Sequence, residues 1–141
     1  MQSNIIIEAE YADILMALLN NPYNINSIIK LVFIAFCVKH EKNLKVYSKR
    51  RKDFVDTFIS NIDIKLISHS NELSIIFEVI DKLQANGFIN IHKDQIYVLK
   101  LLPVKVQNKF LKFCESKRQN PILEVNKLDS KAFMEEVLRY V

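Results

Sequence analysis

The chain has almost no glycine: one residue, Gly87, in 141. A loop that cradles phosphate needs several glycines, so that backbone N–H groups can close on the anion. Nucleotide hydrolysis by this chain is therefore not expected. Proline is nearly as scarce, at three residues. Long flexible linkers are excluded, and the sequence shows no repeat and no low-complexity segment. The two cysteines, Cys37 and Cys114, stand far apart, each in an apolar run. That argues against a disulfide scaffold and for a reducing, cytoplasmic setting. The first residues lack a basic stretch, and Glu8 and Glu10 closely follow Ile5–Ile7, so no signal peptide is expected. The most apolar segment, residues 28–38, is interrupted by Lys30 and falls short of the about 20 residues a membrane span requires.

Catalytic signals are equally sparse. His40, His69 and His92 are scattered along the chain, with no serine or cysteine in a nucleophile elbow. There is no Cys-x-x-Cys, no His-x-x-x-His and no acidic loop of calcium type. The sequence thus predicts no catalytic residues, no cofactor, no small-molecule substrate and no metal site.

What is present is a capacity to fold. Half of the residues are hydrophobic, and a chain of this length can bury roughly 70% of its unfolded surface. One domain over residues 1–141 is expected. The net charge of +4 is mild; it permits a nucleic-acid contact without demanding one.

Periodicity predicts a first helix over residues 8–20, with Tyr11, Ile14, Leu15, Leu18 and Leu19 on one stripe. Asn20-Asn21-Pro22 ends it. Asn26 is expected to cap a second helix over 27–40, apolar nearly all round and so the central rod of the core. A third helix is expected over 49–61, followed by an extended connector in which Ile62, Ile64 and Leu66 alternate before His69. Ser70 or Asn71 then caps a helix over 72–85, which Asn86-Gly87 terminates. Strands over 88–91 and 96–99 flank a turn at 92–95. A helix, a glycine stop and a tight hairpin make residues 71–101 a winged-helix-like unit, and the fold class is mainly α with a small β-hairpin. Pro103 suits the first turn of a further helix over 104–117; Gln119-Asn120-Pro121 breaks it. A final helix starts near Asp129 or Ser130.

Three features bear on function. Lys45, Lys49, Arg50, Arg51 and Lys52 form a basic cluster where a helix is expected to begin. Cations are mildly unfavourable there, so either the helix starts later, capped by Asp53, or an anion compensates: DNA phosphate or an acidic partner. Lys105, Lys109 and Lys112 are expected to share a face of the fifth helix. The helices of 103–141 form a candidate docking region, with Phe133, Met134, Val137, Leu138 and Val141 on the last one; Leu138 and Val141 either close the core or meet another subunit.

The helix over 72–85 stands where a winged helix reads DNA. Its exposed residues are expected to include Glu72, Glu78 and Asp81, which repel phosphate, and it has no arginine for guanine. The turn His92-Lys93-Asp94-Gln95 offers little to a phosphate. The helix therefore reads as structural.

Four features resemble the small middle components of bacterial ABC-three-component systems, which overlap Lamassu-type defence. They are Asn21-Pro22, the apolar helix over 25–38, Tyr47-Ser48-Lys49-Arg50-Arg51-Lys52 and Leu83-Gln84-Ala85-Asn86-Gly87-Phe88-Ile89. The likeness spans most of residues 11–101. It implies a non-catalytic adaptor that bridges an SMC-like ABC ATPase and an effector, often a nuclease, in anti-phage or anti-plasmid defence, with non-specific DNA contact through the complex. The alternative is a winged-helix DNA-binding transcriptional regulator, which the basic cluster favours and the acidic helix opposes. An enzyme of an unrecognised kind is a third reading.

Overall fold

In the computed structural model, residues 4–41, 58–59, 62–116 and 120–139 are described. Helix α1 covers Asn4–Leu19 and buries Tyr11, Ile14, Leu15, Leu18 and Leu19, the stripe its periodicity predicts. It begins four residues earlier than expected. Helix α2, Ile28–His40, is the central rod: Leu31, Val32, Ile34, Ala35, Phe36, Cys37 and Val38 are all buried. Ser27 rather than Asn26 caps it, since the Ser27 hydroxyl accepts from the Lys30 amide at 3.4 Å. Lys30 itself is buried, and its ammonium donates to the Asn126 carbonyl at 3.1 Å.

Of the helix expected over 49–61, only Phe58 and Ile59 are described; both are helical and buried. The extended connector expected at Ile62, Ile64 and Leu66 is instead helix α3, Ile62–His69. Alternation over three residues is too short a pattern to separate a strand from a helix turn.

Helix α4, Glu72–Ala85, buries Ile75, Ile76, Val79, Ile80 and Leu83 against α1 and α2. Each such side chain contributes about 1.5–3 kcal/mol when fully buried, so this face is committed to the core. The Asn71 side chain makes no cap bond. The helix ends in a Schellman motif: the Phe88 amide donates to the Leu83 carbonyl and the Gly87 amide to that of Gln84, both at 3.0 Å. Gly87 has φ +77°, which a glycine adopts freely.

The chain then forms strands β1, Ile89–His92, and β2, Gln95–Val98, paired antiparallel with Ile91 opposite Ile96. Each is displaced by one residue from expectation, leaving Lys93 and Asp94 as a two-residue turn. The turn is not free. Ser27 bridges Gln95, the Ile28 amide donates to the Asp94 carbonyl, and the Ile96 amide donates to the Asn26 carbonyl. Helix, short extended bridge, helix, further helix and hairpin together make a winged-helix-like arrangement in a mainly helical single domain.

Beyond the hairpin the helix expected over 104–117 is shorter: α5 is Lys109–Glu115, with Asn108 as its cap. Val106 adopts φ +51°, and the following amides of Gln107 and Asn108 both donate to Asp13 Oδ2, at 2.9 and 3.1 Å. That clasp keeps residues 101–108 out of the helix, so Pro103 is not in its first turn. Lys105 therefore does not share a helical face with Lys109 and Lys112. Pro121 starts a short helix α6, Pro121–Asn126, capped by Asn120. The last helix, α7, is Ser130–Arg139, and Asp129 Oδ1 accepts from the Ala132 amide at 2.8 Å. Phe33 on α2 meets Phe133 on α7, ring centroids 6.5 Å apart, so the C-terminal part closes the same core. Among the described residues no helix is long and apolar enough to cross a membrane.

Candidate functional site

Two places on the molecule carry more than packing demands. The first is the outer face of α4 with the adjoining hairpin edge. Ser74, Phe77, Glu78, Asp81 and Gln84 are exposed at helical spacing and lie on the side away from the core. Phe77 is 47% exposed, and no cation stands in this stripe. The neighbouring Lys82 is engaged by Glu8 of α1. Along the end of β2 and just beyond it, Tyr97, Val98, Leu99 and Leu101 are exposed in close succession, Leu101 to 87%. Leu102 turns back into the core. Lys100 lies 4.5 Å from the centre of the Phe88 ring, in a cation–π contact.

The tip of the hairpin is occupied as well. Asp94 Oδ2 accepts from the Ser27 hydroxyl at 2.7 Å, and Oδ1 accepts from the Ile29 amide at 3.1 Å. A carboxylate on the first turn of α2 suits the positive end of that helix. The turn is thereby held against the domain, not extended as a wing toward a groove.

The second place is a polar cluster where three helices end. His40 is the last residue of α2, His69 the last of α3 and Glu72 the first of α4. Glu72 was expected to be exposed; it is only 5% exposed. Its position on the inner face of the first turn, opposite Tyr11, accounts for the difference. Tyr11 donates to Glu72 Oε1 at 2.7 Å, and His40 Nε2 lies 2.9 Å from the same oxygen. His69 Nδ1 lies 3.5 Å from Oε2. The two imidazoles, scattered in sequence, stack with centroids 4.1 Å apart.

The electrostatics follow from burial and these bonds. Burial opposes the Glu72 charge, but the bonds from Tyr11 and His40, with the Lys39 charge nearby, outweigh it and hold the carboxyl below its usual range. Burial pulls His40 below the usual imidazole range despite the carboxylate beside it. His40 is thus neutral and donates through Nε2. Burial, together with the bond to Glu72, pushes the Tyr11 phenol up, so it stays a donor. Chelating atoms of His40, His69 and Glu72 all lie within 4.8 Å of one another.

The remaining sequence candidates are distributed differently. Lys45, Lys49, Arg50, Arg51, Lys52 and Val141 lie outside the described residues. Phe133 and Val137 are buried in the core, Met134 is half-buried, and Leu138 alone projects, 65% exposed. The thiols of Cys37 and Cys114 are both pushed up to about 12 by burial, which leaves them protonated and unreactive at neutral pH. The acidic character of the outer α4 face was readable in the sequence. The polar cluster was not, because its members come from three helices. No family model, curated protein or solved structure matches the chain.

Proposed function

We propose that the chain is a non-catalytic adaptor that docks another protein through the outer face of α4 and the hairpin edge. The observation that carries this reading is the charge and exposure of that face: Phe77 with Glu78 and Asp81, and no cation among them. A DNA-reading helix offers polar and basic groups to bases and phosphates. This one offers an aromatic ring beside two carboxylates, which suits a partner with an apolar pocket and a Lys or Arg at its rim. The exposed Tyr97, Leu99 and Leu101 extend the apolar surface beyond the helix.

The likeness to ABC-three-component middle subunits names the first partners to try: an SMC-like ATPase and its effector nuclease, in a defence complex. Co-expression of the full chain with such an ATPase and effector should give a complex that survives size-exclusion chromatography. The combined change Phe77→Ser, Glu78→Lys and Asp81→Lys should abolish it while leaving the melting curve intact. Recovery of an unbound monomer from wild-type co-expression would sink the adaptor reading. A transcriptional regulator would instead show nanomolar binding of wild-type protein to a defined operator.

A further inference from the structure

We propose that His40, His69 and Glu72 form a binding site for one divalent transition metal ion of the zinc class. The site stands on geometry. Two ligands about 2.1 Å from a tetrahedral ion are about 3.4 Å apart. His69 Nδ1 lies 3.5 Å from Glu72 Oε2, close to that value, and His40 Nε2 lies 2.9 Å from Oε1 of the same carboxylate. Since no pair of ligand atoms exceeds 4.8 Å, the closure required is about 1.4 Å at most. His69 is 43% exposed at its side chain and can supply that movement by rotating about its side-chain bonds, splaying the stacked rings.

The surroundings favour a cation. The last residues of α2 and α3 both belong to the site, where helix ends carry partial negative charge, against the opposing N-terminus of α4 and the nearby Lys39. Glu72 adds a full one. Tyr11 holds Oε1 of that carboxylate, leaving Oε2 for the ion; a fixed outer partner of this kind orients a ligating carboxylate. On binding, the single proton of the neutral His40 ring moves from Nε2 to Nδ1 by exchange with solvent, and Nε2 presents its lone pair to the metal. Imidazole donors select zinc, cobalt or nickel over magnesium and calcium, which prefer all-oxygen cages. Three protein ligands and the open His69 side leave a fourth position to water. A bound ion would lock three helix ends together.

The test uses the full chain without an affinity tag. Titration with Co²⁺ should give tetrahedral d–d absorption saturating at one equivalent, and Zn²⁺ should displace it. Zn²⁺ should raise the melting temperature in a concentration-dependent way, and Mg²⁺ should not. His69→Asn, at a half-exposed position, should fold normally and lose at least about a hundredfold in affinity, while Tyr11→Phe should lose about ten- to a hundredfold. The proposal fails if cobalt gives no tetrahedral spectrum. It also fails if His69→Asn binds as wild type, or if thiolate-to-cobalt charge transfer places the ion on a cysteine.

Discussion

Asp94, in the turn of the hairpin, supports the start of a helix whose capping residue, Ser27, lies 67 positions before it: its carboxylate accepts from the Ser27 hydroxyl at 2.7 Å and from the Ile29 amide at 3.1 Å. Removing it strips the first turn of α2 of an acceptor and of a favourable charge. Asp94→Ala is expected to cost about 1–2 kcal/mol. Asp94→Asn, which keeps an acceptor but not the charge, should cost less. Urea titrations should show a lower midpoint with an unchanged slope, because the unfolded state is unaltered.

Tyr11 and Glu72 should be coupled. Tyr11→Phe removes one hydrogen bond to a charged group, worth about 1.5–3 kcal/mol. Glu72→Ala strands both the phenol and His40 in a buried site and should cost about 3 kcal/mol or more. In the double variant the phenol is already gone, so the two costs should add to less than their sum. Strict additivity in a double-mutant cycle would show that the bond contributes nothing.

Acid should destabilise the metal-free protein, measured in the presence of a chelator. Burial holds the folded pKa of His40 below its ordinary value of 6.5, so the unfolded chain takes up the proton first as pH falls. Stability is lost from that point downward until the folded imidazole also titrates. The bonds from Tyr11 and His40 outweigh burial and hold the folded pKa of Glu72 below its ordinary value of 4.5. Its contribution is fully present above 4.5 and disappears as pH falls through the folded value. Both slopes have the same sign, so midpoints from urea titrations should fall in two stages. Tyr11→Phe, which removes a bond that holds the carboxyl down, should shrink the lower stage.

Gly87→Ala tests the helix stop. A Cβ there meets nothing closer than Lys100 Nζ at 3.9 Å, so space is not the obstacle. The backbone angle is, and the change should cost about 1–2 kcal/mol. Gly87→Asn should cost less, because its side chain tolerates that region. Thermal melts of the three proteins should rank Gly, Asn, Ala.

Local signals carried much of the fold. Tyr11, Ile14, Leu15, Leu18 and Leu19 announce α1 by spacing, and Gly87 marks the end of α4. Where a distant residue decides, local reading fails. The amides of Gln107 and Asn108 go to Asp13, far back in the chain, and the helix after Pro103 starts late as a result. Glu72 looked like a surface charge because its partners, Tyr11 and His40, belong to other helices. The outer α4 face was legible because exposure there follows from which residues the core takes. The polar cluster required the three helix ends to be brought together first.

The clasp between the hairpin turn and α2 also sets an order of events. The contacts at Ser27, Ile28 and Ile29 cannot form until Asp94 has been made. During synthesis the first turn of the central helix therefore waits, unsupported by Asp94, through most of the chain. Closing so long a loop costs entropy before any contact repays it. The hairpin is in this sense the latch of the fold, and the step that seats it is the one at which α2 acquires its final N-terminus.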